Sequence, residues 1–462
     1  MQLDQFVISE TASLREALLR IESNHHGIIM SMDNDGRVTG LATDGDIRRE
    51  LLKGRTLNDP VSTCINSDFL FEESTTSREA LLKKLDQRIR VIPLLNAERR
   101  LVGVVSRDHL PVRTEEAVFA RARAPVRISF GGGGSDLTHY FANQDGAVIN
   151  TTISLYSHVT LRVREDEKVS LHSLDLNESV HAESLKHALA GEDRFGLIKA
   201  LLRIVQPDFG FDLYIHSDFP MSSGLGGSAV VTAAVLGCFN QFRRDQWDLH
   251  ELAELAFQAE RLCLGVAGGW QDQYAAVFGG FNFIEFRMDQ NIVHPLRIHP
   301  DILLELEESL ILCYTGMTHD SGNIHEDQRT QMSDVAVREY VKSNVELSYK
   351  IRNQLLRGNL FDFGQSLDVA WQLKRRFSNK ISNDQIDHIY NEARTHGAIG
   401  GKLLGAGGGG FFLFYVPPFR KHELIQHLET MRLRVQPFRF EREGLRAWTV
   451  RERMSQMNIE SV

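Results

Sequence analysis

Pro220-Met-Ser-Ser-Gly-Leu-Gly-Gly-Ser-Ala229 is the stretch on which the reading of this 462-residue chain turns. Before it lies Phe211-Asp-Leu-Tyr-Ile-His216, an apolar alternation that predicts a strand. After it, Ala229-Val-Val-Thr-Ala-Ala-Val-Leu236 is an apolar run of small residues that predicts a buried helix. Three glycines and three serines crowd between Ser222 and Ser228. A loop of that composition opening a helix offers an anion free backbone N–H groups, hydroxyls and the positive end of a helix dipole. A tight turn without a ligand explains an isolated Gly-Ser pair. The density here favours phosphate, so a nucleoside triphosphate is expected on Pro220, Ser222, Ser223, Gly224, Leu225, Gly226, Gly227, Ser228 and Ala229. The familiar phosphate-loop pattern is absent: its nearest match, Gly397 to Lys402, lacks both the spacing and the following Ser or Thr.

Two further glycine-rich stretches flank this one in the chain. They are Arg123-Ala-Pro-Val-Arg-Ile-Ser-Phe-Gly-Gly-Gly-Gly-Ser-Asp136 and Lys402-Leu-Leu-Gly-Ala-Gly-Gly-Gly-Gly-Phe411. The first invites a dinucleotide-fold reading, but the third glycine that pattern needs is replaced by Asp136. Taken together and in this order, the three stretches resemble the motifs of the GHMP kinases, over about residues 120 to 462. The resemblance implies an α+β, two-lobed fold, with an N-terminal lobe like ribosomal protein S5 domain 2 over residues 114–300 and a ferredoxin-like C-terminal lobe over 301–462.

The resemblance also implies site residues. Sugar kinases of this family place an Asp a fixed interval after the Arg of the first motif, and Arg127 and Asp136 keep it. Asp136, with Gly133, Gly134 and Ser135, is expected to receive sugar hydroxyls. In Gly265-Val-Ala-Gly-Gly-Trp-Gln-Asp-Gln-Tyr274 the acid is a helix N-cap or the catalytic group, and the family's Asp-Gln ending selects catalysis. Asp272 then aims or deprotonates the attacking hydroxyl, Arg127 stands at the transferring phosphoryl, and Gly269, Gln271 and Gly408 complete the acceptor site. Asp248-Leu-His-Glu251 predicts a capping box opening a helix to about 264, with Leu252, Leu255, Ala256, Ala259 and Leu262 on its core face. Glu260 points partly inward on that helix and needs a partner: an ion pair with Arg261 or Arg203, or a metal. The family's Glu-to-Asp interval, kept by Glu260 and Asp272, points to magnesium held by Glu260 and Ser228. ATP and Mg2+ are the implied cofactors.

Within the family, the four glycines before Ser135-Asp136 and the Gly-Gly-Trp-Gln-Asp-Gln form most resemble D-glycero-D-manno-heptose 7-phosphate kinases. These act on the anomeric hydroxyl to give the 1,7-bisphosphate on the way to nucleotide-activated heptose. A substrate phosphate would call on Lys199, Arg203 or a histidine such as His139. An anomeric kinase of fucose or galactose type, and a silent nucleotide-sensing regulator, are the competing readings.

Residues 1–113 hold an internal repeat. Helical stretches at 13–19 and 77–85 each lead to an apolar strand, a polar turn and a second strand ending in a hydroxyl and an acid: Thr43 with Asp46, Ser106 with Asp108. This resembles a tandem CBS pair, or Bateman module, a fusion most relatives of the kinase part lack. It implies either an adenosine nucleotide on those four residues or a dimerising, architectural module with the acids as helix N-caps. Self-association enters by the same analogy. Residues 111–117 read as the linker.

The bulk properties agree with a folded, globular chain. Forty-two per cent hydrophobic and 24 per cent charged residues are ordinary for a globular protein, and the net charge of −9 argues against nucleic acid. The apolar runs are too short to span a bilayer and the start lacks a leader pattern, so a cytoplasmic protein without a membrane partner is expected. The four scattered cysteines fit neither a disulfide framework nor a zinc site.

Overall fold

A computed structural model describes residues 3–76, 78–85, 89–106, 116–317 and 321–453. The chain divides into two compact units, Met1–Glu115 and Glu116–Val462. Asp108 and most of the expected linker lie outside the described residues, as do positions 318–320.

The first unit is built twice to one plan. Val7–Ser9 pairs in parallel with Ile28–Met32, which pairs antiparallel with Val38–Thr43; Glu72–Glu73, Val91–Leu95 and Leu101–Ser106 repeat that order and sense. The helix Leu14–Asn24 starts at a capping box of Ser13 and Glu16, the pattern that leaves no orphaned N–H at the first turn. Thr43 and Asp46 form a second capping box, at the start of the helix Asp44–Leu52, with Asp46 Oδ2 accepting from the Thr43 amide at 2.8 Å. Both groups are thus already spent on the backbone, the architectural alternative. Ser106 differs: its Oγ is buried without a partner among the described residues.

The second unit is organised on a nine-stranded sheet. Its axis is the long strand Gly146–Val163, which pairs antiparallel with the opening strand Glu116–Gly131, with Phe211–Ser217 and with Phe281–Phe286. The long strand continues through residues 151–156 by way of a register shift against the opening strand, Tyr156 facing Pro125 and Ile153 facing Val126. The helix Gly227–Asn240 packs on this sheet, and its lack of a polar face is explained by burial of nearly every residue from Ala229 on.

A second sheet of four antiparallel strands, ordered Gly400–Leu403, Phe411–Tyr415, Leu310–Tyr314, Arg434–Val435, carries the C-terminal helices. The expected division at residue 300 needs correction. Phe440–Glu441 pairs with the long strand, and Arg446–Arg453 pairs with Arg123 back to Glu116 along the opening strand. The strand Arg446–Arg453 therefore belongs to the N-terminal sheet, where it covers what would be an unpaired edge. No helix among the described residues is long and apolar enough to cross a membrane.

Candidate active site

One cleft of about 620 Å³ in the second unit gathers residues from all three glycine-rich stretches. That size suits a nucleotide with a small acceptor. Its floor is the loop before the helix Gly227–Asn240. Gly224 and Gly226 have φ of 79° and 80°, the left-handed backbone that glycine adopts without strain. Gly226 is the N-cap and supplies no side chain, so the first N–H groups of the helix remain open toward the cleft.

The third stretch braces this loop. Phe411 N donates to Ser223 O at 3.1 Å, and a Cβ on Gly405 would meet Gly224 Cα at 2.5 Å, on Gly410 the Ser223 carbonyl at 2.3 Å. Backbone packs on backbone here, which accounts for the glycine run. Lys374 completes the brace, its Nζ donating to Leu403 O at 3.0 Å and Gly405 O at 2.5 Å. Burial, and then neighbouring Lys402, pulls that amine well below the usual lysine range.

Arg127 leaves the opening strand and is 3 % exposed. Its Nε donates to Asp272 Oδ1 at 2.8 Å and its Nη1 to Gly224 O at 2.7 Å, so one guanidinium ties the acid to the loop. Asp272 lies in the first turn of the helix Gln271–Phe278 and makes no N-cap bond; the N-cap is Trp270. Asp136 lies beside it, accepting from Gly134 N at 3.0 Å and Gln271 N at 3.4 Å. Burial, with the Asp272 charge adding to it, raises the Asp136 carboxyl above the usual range. A Cβ on Gly269 would stand 1.8 Å from Asp136 Oδ2, so only glycine passes there.

Glu260 reaches the cleft through a departure from regular helix. The capping box of Asp248 and Glu251 opens Leu249–Phe257, but Gln258–Cys263 continues as a π-helical turn. The wider turn shifts the face: Leu262, expected in the core, is 73 % exposed, while Glu260 is 3 % exposed. Its carboxylate accepts from Ser228 Oγ and, at 2.8 Å, from Gln273 Nε2, with Arg261 Nη1 at 3.4 Å.

The cleft therefore brings together Arg127, Gly133, Gly134, Asp136, the loop residues 222–224 and 226–228, Glu260, Gly269, Gln271 and Asp272. Other expectations are corrected. Leu225 and Ala229 turn into the core, Pro220 does not line the cleft, and Ser135 Oγ is enclosed, donating to Gly132 O at 2.7 Å. Gly408 does not line it either; its amide donates to Ile381 O. Lys199 is buried in a bond of 2.5 Å to Asp193, Arg203 lies outside the cleft, and His139 keeps a buried, unpartnered Nε2 away from it. Sequence reasoning missed His325, Asn344 and Lys374, which come from helices with no local motif. His325 is held neutral, its imidazole pushed down to about 4 by burial and then by Arg261.

This fold and cleft define a phosphotransferase of two-lobed type. Profiles described as "GHMP kinases N terminal domain" and "GHMP kinases C terminal" match residues 195–280 and 351–428, and one described as "CBS domain" matches 1–53. The chain is 37 % identical to D-glycero-alpha-D-manno-heptose 7-phosphate kinase of Campylobacter jejuni, over 71 % of this chain and 99 % of that protein. A crystal structure titled as a putative sugar kinase from Campylobacter jejuni superposes with TM-score 0.60 at 35 % identity, covering 74 % of this chain and all of that one. A D-glycero-D-manno-heptose 1-phosphate kinase from Bacteroides thetaiotaomicron does so at 0.60 and 29 % identity, covering 71 % and 98 %. The chain belongs to the GHMP kinases, and carries a CBS domain ahead of the kinase part.

Proposed function

We propose that this enzyme transfers the γ-phosphoryl of ATP to the anomeric hydroxyl of D-glycero-D-manno-heptose 7-phosphate, giving the 1,7-bisphosphate and ADP. The observation that carries the reading is the convergence of Asp272, Arg127 and the open helix N-terminus in one cleft, in a chain of which 71 % matches 99 % of a heptose 7-phosphate kinase. The donor phosphates lie along residues 222–228, where N–H groups and hydroxyls face them. Asp272 accepts the proton of the acceptor hydroxyl or aims its oxygen. Arg127 offsets charge on the transferring group while fixing Asp272. Asp136, beside Asp272 and hydrogen-bonded to two amides, orients the sugar.

The residues present fit a hard divalent cation. Ser228 Oγ and the buried Glu260 carboxylate are in direct contact, an oxygen pair of the kind Mg2+ takes together with phosphate and water oxygens. Ser228 and Glu260 would hold the ion, which would neutralise charge on the donor phosphates. Arg261, at 3.4 Å from Glu260, limits the charge left uncompensated without it.

The test is a panel of sugars and sugar phosphates with ATP and Mg2+, scored by ADP release. Turnover of the heptose 7-phosphate above all others is expected. Turnover of free fucose or galactose alone would replace the acceptor assignment, and no turnover on any sugar would leave a silent nucleotide binder.

A further inference from the structure

Five lysine and arginine side chains line the cleft among the described residues, and four of them are engaged. Arg127 holds Asp272 and Gly224 O. Arg194 donates to Leu176 O and stands 4.0 Å from Glu178. Arg261 donates to the carbonyls of Val266 and Ala267. Lys374 is spent on two carbonyls of the third glycine stretch. The fifth, Lys402, is 4 % exposed and has no hydrogen-bond or ion-pair partner among the described residues.

A buried ammonium without a counter-charge is costly, and the cost recurs in every molecule unless a ligand supplies the anion. Lys402 sits on the strand Gly400–Leu403, and the charges that bear on it are Arg127 and Asp136, with Lys374 alongside. Its charged neighbours in the cleft therefore include Asp136, the group assigned to the acceptor. Four other buried polar atoms of cleft-lining residues lack partners among the described residues, Ser129 Oγ, Arg261 Nε, Gln271 Oε1 and Asn344 Oδ1; the last two are amide oxygens, and Asn344 Nδ2 donates to Gly133 O at 3.0 Å. Two acceptors for hydroxyl protons and one cation for an anion describe a phosphorylated polyol.

We propose that Lys402 is the specificity-determining cation of the acceptor site, binding the phosphate that the sugar already carries. The inference rests on the sugar-phosphate reading above and deepens it. Burial beside Arg127 pulls the Lys402 amine down to about 7, so an arriving dianion favours its charged form.

The experiment compares wild type, Lys402→Met, Lys402→Gln and Lys402→Arg on D-glycero-D-manno-heptose 7-phosphate and on the same heptose without phosphate. Loss of one charge-assisted contact lowers the kcat/KM ratio between the two sugars by about 10- to 100-fold in the neutral variants. The arginine variant regains part of it, and KM for ATP holds. An unchanged ratio in a folded neutral variant overturns the proposal. A rise in KM for ATP with the sugar ratio intact also overturns it, assigning the contact to the donor phosphates. Should the neutral variants not fold, acetylation of Lys402 in the wild type, read by peptide mass spectrometry, decides. Protection by the phosphorylated sugar alone supports the proposal; equal protection by both sugars refutes it. A wild type inactive on both sugars overturns the parent reading and this proposal together, a result distinct from the others.

Discussion

Asp272 carries the most weight among single residues. Asp272→Asn removes the proton acceptor but keeps the shape, so turnover falls about a hundred- to ten-thousandfold while ATP affinity is retained. Steady-state kinetics with equilibrium nucleotide binding checks this, and unchanged turnover would remove Asp272 from catalysis. Gly269 is constrained by Asp136: a methyl 1.8 Å from Oδ2 must displace that carboxylate. Gly269→Ala is therefore expected to raise the acceptor's KM sharply and leave the KM of ATP near its starting value. Lys402 adds a pH signature. Its folded value of about 7 lies below the ordinary 10.5, so between these the unfolded chain binds more protons and stability rises with pH. Melting temperatures of wild type relative to Lys402→Met should climb from pH 7 toward pH 10.5, with Arg127, Asp136 and Lys374 the charged groups facing the amine. Parallel curves would mean that Lys402 does not titrate in this range.

At the scale of elements, the loop and its brace act as one piece. Gly405 and Gly410, at φ of 66° and 94°, touch the backbone of Gly224 and Ser223. Gly410→Ala combines a backbone clash with a left-handed conformation, each costing on the order of 1–3 kcal/mol. It should lower thermal stability and weaken ATP binding together, although residue 410 does not line the cleft. Loss of stability with ATP affinity intact would show that the brace does not shape the loop. The π-helical turn is the other local device. It was illegible beforehand because regular helical spacing places Leu262 inward, whereas the extra residue in the turn exposes Leu262 and delivers Glu260 to Ser228. The capping box, the buried helix Gly227–Asn240 and the strand Phe211–Ser217 were all legible, since each depends on neighbours within a few residues.

At the scale of the molecule, the kinase unit's opening strand is covered by the strand Arg446–Arg453. Gly279, at φ 67°, leaves only 2.0 Å between a would-be Cβ and Gly444 N, where the last strand turns in toward the opening strand. Gly279→Ala is expected to loosen that seam and lower the melting temperature, with more aggregation as the edge Glu116–Gly131 is bared. A variant that melts like the wild type would show the seam to be dispensable. Nothing near residue 446 announces this pairing, because its partner is Arg123, more than half the chain away. Local pattern was enough to set the three glycine stretches, and their resemblance to the motifs of a known family set Asp272, Arg127, Asp136 and Glu260 as candidates, because turn chemistry and motif intervals are written in consecutive residues. Tertiary structure alone decided that the third stretch props the loop, that Ser135, Leu225 and Lys199 serve the interior, and that Lys402 is left without a partner among the described residues. Those outcomes depend on which distant surfaces meet, and a linear pattern does not record that.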